Sequence, residues 1–327
     1  MIGDKSLSKR DFSRVTKPLK LFGANIKLNN KSLPVDIVGS NFLRPITYFE
    51  NIGSAQVKSS ICFAALNTPG TTVIKAKKSR NHTELLFKNL NIPIELKSSK
   101  NFDLIKIKGL NNYKSFNYSI PGDISSSAFF IVLTMLSNKS KILIKNVNVN
   151  ETRIGIIKIL NKMKANIILK NKKKYKGEMI ADIHVKSSPI LKSINCPSSL
   201  NSSSIDELIL IFLVAGVKTK GVSTFKDLSE LNKKESPRLD IAINFLKMIG
   251  VKVKRNKNDI KIYGKPNLSL DGAYSIKNFL KDHRIFMMSC VAALTLGGKW
   301  KIFDKDSINT SFPSFIKILK KLGAKIN

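Results

Sequence analysis

Cysteine is scarce in this 327-residue chain, limited to Cys62, Cys196 and Cys290. These three are far apart, odd in number and mostly inside apolar runs. That excludes a disulfide scaffold and any CxxC motif, and reads as reduced core thiols of a cytosolic protein. Acidic residues are also few, 22 against 57 lysines and arginines, giving a net charge of +35. Histidine is confined to His82, His184 and His283, none at metal-ligand spacing. A single tryptophan and six tyrosines give few stacking platforms, and no RNA- or DNA-binding motif occurs. There is no Walker loop, no GxGxxG and no Ser-His-Asp order to build on. The opening "MIGDKSLSKRDF" has no apolar signal region, and the longest apolar run, Leu208 to Val217, is too short to span a bilayer.

What is present is a globular composition, 43% hydrophobic and 8% aromatic, long enough for two domains with separate cores. The charge balance points to an acidic partner: nucleic acid, an anionic membrane or a small phosphorylated substrate. Only eight of the 57 basic residues are arginine, so lysine is the default cation and reads first as a solvated surface.

One phrase recurs, an amphipathic helix followed by a turn residue and a short β-branched strand. Its copies are "VTKPLKLFGANIKL", "LLFKNLNIPIEL", "IIKILNKMKANIIL", "AINFLKMIGVKVK" and "SFIKILKKLGAKIN". The turn residues Gly23, Asn91, Lys164, Gly250 and Gly323 are spaced by roughly 70 to 85 residues. Gly and Asn suit a left-handed position after a helix, and Lys164 fits less well. A second phrase interleaves with it: a polar cluster opens a more apolar helix that leads into a strand, as in "GDISSSAFFIVLTMLSNKSKILIKN" and "SSIDELILIFLVAGVKTKGVSTFKD". Helices without a polar face belong inside. Together the phrases make about four full copies of helix, strand, helix and paired strands, plus the tail of a fifth at the start. The domain boundary is expected around Asn117 to Asp123, giving domains 1–120 and 121–327.

Nearly every helix opens with small polar and charged residues: "SLSKRD", "SAQ", "SRNHTE", "GDISSS", "NETR", "SSIDE", "KKESPR", "DHR" and "NTSFP". Unpaired N–H groups and the helix dipole make each such start an anion site, and several converging on one cleft would bind polyanionic small molecules. Five of the eight arginines (Arg10, Arg80, Arg153, Arg238 and Arg284) fall in these openings. Taken singly, each reads either as an ion pair with Asp11, Glu84, Glu151, Glu235 or Asp282, or as a two-pronged ligand for carboxylate or phosphate; five together favour a site. Asp206 and Glu207 read either as N-caps of a buried helix or, functionally, as a general base. Lys234 and Glu235 read as an acid or base beside a phosphate-binding cation, or as an exposed polar loop in which Pro237 occupies a first helical turn.

The motifs "GDKSLSKR", "SAQVKS…LNTPGTT", "RNHTE", "PGDISSSAFF", "NETR", "SSSIDE", "KKESPRL", "DHRI" and "TSFP" resemble, in order and approximate spacing, the 5-enolpyruvylshikimate-3-phosphate (EPSP) synthase family, and look like its bacterial class II. The resemblance runs the length of the chain. It implies an inside-out α/β barrel of repeated βαβαββ units in two domains. It also implies transfer of the enolpyruvyl group of phosphoenolpyruvate to the 5-hydroxyl of shikimate 3-phosphate, with no metal or organic cofactor, in a cytoplasmic monomer that binds neither nucleic acid nor membrane. Carried over by motif, Ser54, Ala55 and Gln56 contact the shikimate phosphate, Gln56 also lies near phosphoenolpyruvate, and Arg80 touches the phosphate region. Asp206 accepts the 5-hydroxyl proton, Lys234 binds the shikimate ligand, Glu235 protonates the methylene, and Arg10, Arg238 and Arg284 clamp phosphoenolpyruvate.

The chain departs from the family in beginning after the segments that carry a Lys-Ser…Ser-His-Arg motif and a Gly/Asn-rich motif. The first domain is therefore expected to be incomplete with an uncovered edge, and the chain alone to turn over little, as a partial sequence or as one half of a split enzyme completed by a separate N-terminal polypeptide. Pro237 and Asn81 stand where aspartate is usual. Transfer to a UDP-sugar on the same fold is disfavoured by "SAQVK" and "KKESPR", and nucleic-acid binding ranks last.

Overall fold

The computed structural model describes residues 1–3, 7–111 and 113–326, so residues 4–6 of the opening motif lie outside the described residues. The chain forms two compact units, Met1–Ser119 with Lys174–Glu178, and Ile120–Lys173 with Met179–Asn327.

The first unit opens with α1 (Ser13–Leu21) and the antiparallel hairpin β1 (Asn25–Asn29) and β2 (Ser32–Val38). There follow β3 (Thr47–Glu50), α2 (Ala55–Leu66), β4 (Thr71–Lys77), α3 (His82–Asn89), β5 (Ile94–Ser98) and β6 (Phe102–Lys108). Their sheet has the order β3-β4-β6-β5, with β3 parallel to β4 and the other pairings antiparallel. The geometry follows from the connections: a strand that returns through a helix pairs parallel, whereas a strand that returns through a tight turn pairs antiparallel.

The second unit repeats the scheme. A parallel bridge from Gly122 to Val147 stands in for the first strand, followed by α4 (Ile124–Leu136), β7 (Lys141–Asn148), α5 (Gly155–Lys162), β8 (Ile167–Tyr175) and β9 (Glu178–Lys186), in the sheet order β7-β9-β8. Next come β10 (Leu191–Lys192), α6 (Asn201–Ser204), α7 (Leu208–Val217), β11 (Thr219–Phe225), α8 (Arg238–Met248), β12 (Val253–Asn256) and β13 (Asp259–Gly264). Their order, β10-β11-β13-β12, reproduces that of β3 to β6. The described chain closes with β14 (Leu270–Ile276), α9 (His283–Leu296), β15 (Gly297–Ile302), parallel to β14, and α10 (Phe315–Lys321).

The expected four full copies thus become two complete βαβαββ repeats, a third whose first strand is reduced to the Gly122–Val147 bridge, a βαβα run at the end and an αββ run at the start. The strand expected after Gly323 does not form: Ala324–Ile326 have no ladder partner among the described residues, and a lone strand cannot satisfy its backbone groups.

The five turn residues share one geometry. Gly23, Asn91, Lys164, Gly250 and Gly323 all have positive φ, from 55° at Asn91 to 108° at Gly23. Each follows the C-cap of its helix and donates its N–H to the carbonyl three residues back, as Lys164 does to Asn161. The next N–H reaches five back, as Ala165 does to Leu160. This pair of hydrogen bonds is the Schellman motif. Lys164, despite its side chain, adopts it at φ 67°.

Of the apolar helices, α7 has all ten residues buried, α4 has eleven of thirteen and α9 nine of fourteen. α2 departs from the expectation: it buries Val57, Lys58, Ile61, Cys62 and Ala65 on the sheet side, while Phe63 on the opposite face is 51% exposed. Burial pushes the Cys62 and Cys290 thiols up to about 12 and that of Cys196 to about 11, which makes all three inert. Among the described residues no single helix is long and apolar enough to cross a membrane, and the apolar run of α7 is accounted for as core.

Candidate active site

In each repeat the first two strands run parallel, so the segments leaving their carboxyl ends, and the helix starts that follow, lie on one edge of the sheet. Such edges are where open α/β sheets bind ligands. In the second unit, α4, α5, α7, α8 and α9 all begin on segments of this kind.

Asp206, in the bend between α6 and α7, is where these starts meet. Its Oδ1 lies 3.3 Å from Lys234 Nζ and 3.4 Å from Arg238 Nη1, and its Oδ2 lies 3.4 Å from Arg153 Nη1. Arg153 Nη2 donates to Ser125 Oγ at 2.5 Å and is 3.5 Å from Asp123, the N-cap of α4. Arg284, in the first turn of α9, donates to the Asp206 carbonyl at 3.2 Å and stands 3.7 Å from Glu207 Oε1. Glu207 Oε1 also accepts from the Ser125 hydroxyl.

Behind this layer is a buried anchor. Arg238, 1% exposed, donates through Nε to Asp282 Oδ2 at 2.8 Å and through Nη2 to Glu235 Oε2 at 2.6 Å. Ser236 Oγ adds a 2.7 Å bond to Asp282, which at the same time caps α9 by accepting from the Arg284 N–H at 2.9 Å. Burial opposes the Arg238 charge, but Asp282, Glu235 and Asp206 more than offset it and hold the guanidinium above its ordinary range. Burial likewise pushes the Asp282 carboxyl up, and Arg238, Ser236 and the Arg284 N–H bring it below its ordinary value. Glu207 is the opposite case: its burial outweighs Arg284, Arg153 and Ser125, and its pKa is raised. Burial, then Arg284, lowers His283.

The side chains open outward in order. Arg238 and Asp282 are closed off, Arg153 and Asp206 are 11% and 12% exposed, and Lys234 and Glu235 reach 27% and 28%. A cationic pocket wall is therefore presented with two carboxylates at its surface.

The sequence candidates Asp206, Lys234, Glu235, Arg238 and Arg284 are thus brought together in one unit. Capping does not explain the carboxylates: Glu207 holds the N-cap position of α7 yet makes no cap bond with its side chain. The ion-pair reading is met at Arg238, which takes Glu235 and Asp282 together, while Glu84 and Glu151 pair with Lys58 and Lys158 instead. Pro237 is the N-cap of α8 rather than a residue of its first turn.

In the first unit, Ser54 caps α2, its Oγ accepting from the Val57 N–H at 3.3 Å, and Ala55 and Gln56 are the first two helical residues. Arg80 is half-buried just before Asn81, the N-cap of α3. The two helix starts are tied by a Ser59–Thr83 hydroxyl bond of 2.7 Å and by the buried Lys58–Glu84 pair at 2.6 Å. Arg10 is exposed in the turn between the short 3-10 helix Leu7–Lys9 and α1. Ser125 and Asp123 are members of the cluster to which the sequence assigned no role, their signal being the polar opening of α4, while Asp282 reads there only as an ion-pair partner.

A family model described as EPSP synthase (3-phosphoshikimate 1-carboxyvinyltransferase) matches residues 1–319. This chain belongs to the EPSP synthase family. A 3-phosphoshikimate 1-carboxyvinyltransferase from Ruthia magnifica subsp. Calyptogena magnifica is 38% identical over 332 residues, covering 100% of this chain and 73% of its own length. One from Thermodesulfovibrio yellowstonii is 39% identical, with 98% and 74% covered. The solved EPSP synthase of Acinetobacter baumannii superposes with a TM-score of 0.86 at 34% identity, over 98% of this chain and 72% of that one. The enolpyruvyl transferase NikO of Streptomyces tendae, at a TM-score of 0.71 and 13% identity, shares the fold. The repeated βαβαββ architecture is thus that of EPSP synthases, and the matched span takes in every helix opening from Arg10 to the "TSFP" segment.

Proposed function

We propose that the chain transfers the enolpyruvyl group of phosphoenolpyruvate to the 5-hydroxyl of shikimate 3-phosphate, releasing phosphate. The observation that carries this reading is the Asp206 carboxylate held within 3.3 to 3.4 Å of Lys234, Arg153 and Arg238 in an EPSP synthase-family chain.

In the forward addition, Asp206 accepts the 5-hydroxyl proton as that oxygen bonds to C2 of phosphoenolpyruvate, and Glu235 delivers a proton to the methylene carbon. The resulting tetrahedral intermediate collapses when the methyl group returns a proton to Glu235 and the C–O bond to phosphate breaks, the departing phosphate taking the proton from Asp206. Arg10, Arg284 and Gln56 hold phosphoenolpyruvate, and Arg238, carried over with them by motif but closed off in this structure, acts on it through the Asp206 and Glu235 carboxylates that it fixes. Ser54, Ala55, Gln56, Arg80 and Lys234 hold shikimate 3-phosphate. Guanidinium suits both, because its planar fork matches carboxylate and phosphate. We read the chain as a cytoplasmic monomer working on these small anions without nucleic acid or membrane.

The deciding assay is phosphate release by the full chain. Release that requires both substrates supports the reading, and its absence, or release from phosphoenolpyruvate alone, overturns it.

A further inference from the structure

Arg153 has no place in the transfer scheme above, yet its surroundings are the most constrained of the surface-reaching cations around Asp206. We propose that Arg153 is a positioning residue: fixed from behind by Ser125 and Glu207, it orients the Asp206 carboxylate and favours its ionised form. The inference rests on the transfer reading only for the reaction that Asp206 serves.

A serine hydroxyl has one proton and two lone pairs. Ser125 gives that proton to Glu207 Oε1, so its oxygen can only accept from Arg153, and it does so at 2.5 Å. The direction of the chain Arg153 to Ser125 to Glu207 is thereby set. Glu207 is 1% exposed, its Oε2 has no hydrogen-bond partner among the described residues, and its burial holds the network away from water. Because guanidinium is a rigid plane, fixing Nη2 on Ser125 also aims Nη1, which meets Asp206 Oδ2 at 3.4 Å.

The other Asp206 oxygen is served differently. Lys234 and Arg238 both approach Oδ1, and both come from the one segment leading into α8. Lys234 is a point charge on a flexible stem, and Arg238 is committed to Asp282 and Glu235. An anion that draws Lys234 away therefore leaves Asp206 held through Oδ2 by a cation mounted on a separate element. Among the described residues, the charged groups around Asp206 include Arg153 before α5, Lys234, Glu235 and Arg238 at α8, Asp282 and Arg284 at α9, Asp123 at α4 and its own neighbour Glu207.

The test compares wild type, Arg153→Met, Arg153→Lys and Ser125→Ala in the full chain. The readouts are phosphate release across pH and carbon-13 NMR titration of the Asp206 carboxyl, assigned with Asp206→Asn. Removing a cation from beside a carboxylate disfavours its charged form. Arg153→Met is therefore expected to move the Asp206 titration and the acidic limb of the kcat/KM profile to higher pH. It should also lower kcat by about tenfold or more, with little change in either KM. Arg153→Lys restores part of the pH shift but not kcat, and Ser125→Ala moves both in the direction of Arg153→Met by less. An unmoved Asp206 titration in Arg153→Met, or an effect confined to the KM of one substrate, overturns the proposal. Where Arg153→Met does not fold, Arg153→Lys and Ser125→Ala decide on the same criteria. A wild-type chain that releases no phosphate overturns the transfer reading, and the NMR titration still decides the link between Arg153 and Asp206.

Discussion

Arg238 shows how a single side chain serves stability and chemistry together. Its guanidinium balances a fully buried Asp282, so Arg238→Met strands a charge in the interior and is expected to cost about 3–5 kcal/mol in denaturant unfolding. The pair also sets an acid limit. Asp282 has a lowered pKa in the folded state, so its contribution is complete above its ordinary value of 3.8 and is lost as pH falls through the still lower folded value. Glu207 has the opposite sign: its pKa is raised above 4.5, so it favours folding below that value and loses this as pH rises through its folded pKa. Glu207→Gln, which keeps the acceptor for Ser125, should therefore leave stability at neutral pH unchanged or higher, as measured by urea titration at two pH values. For chemistry, Asp206→Asn keeps the size of the side chain and removes the base. A fall in phosphate release of about 10²- to 10⁴-fold is expected, with phosphoenolpyruvate binding retained in calorimetry.

At the scale of elements, the recurrent device is the Schellman turn that ends α1, α3, α5, α8 and α10. Lys164 carries a Cβ in a left-handed conformation, which costs an ordinary residue about 1–2 kcal/mol. Lys164→Gly should then stabilise the protein by roughly 0.5–1 kcal/mol once the added chain entropy of glycine is subtracted. At Gly250, φ is 79° and a Cβ would find only the Lys265 amine at 3.7 Å, so Gly250→Ala isolates the backbone cost, about 1 kcal/mol of destabilisation in the same denaturant assay. Gly23 is a different case, since a Cβ there would meet the Phe42 carbonyl at 2.8 Å and the helix exit itself would have to move. These turns were legible from composition alone because Gly and Asn after an amphipathic helix are local signals. The missing last strand and the one-sided α2 were not, because both depend on what packs alongside them.

For the whole molecule, a net charge of +35 makes two effects of salt run in opposite directions. Raising ionic strength from about 0.01 to about 1 M contracts the screening length from ~30 to ~3 Å, which relieves self-repulsion and should raise Tm in a scanning experiment. The same screening weakens the field that draws in anionic substrates, so association rates for phosphoenolpyruvate and shikimate 3-phosphate are expected to fall steeply. Lysines scattered through every segment account for most of that field, and Arg153, Arg238 and Arg284 are set aside for contacts with defined geometry.

The repeat, the apolar helices, the helix-opening motifs and the gathering of scarce arginines in them followed from the sequence by itself. Each is a matter of short-range spacing and of which side chains can be buried. Tertiary structure alone decided which charges meet. Asp206, Arg153, Lys234, Arg238 and Arg284 are separated by up to 131 positions and converge only because successive repeats direct their strand ends to helix starts that pack together. Whether a given arginine caps a helix, pairs with a neighbour or faces a carboxylate three elements away depends on solvent exclusion and on distances of a few ångströms, which sequence spacing does not encode.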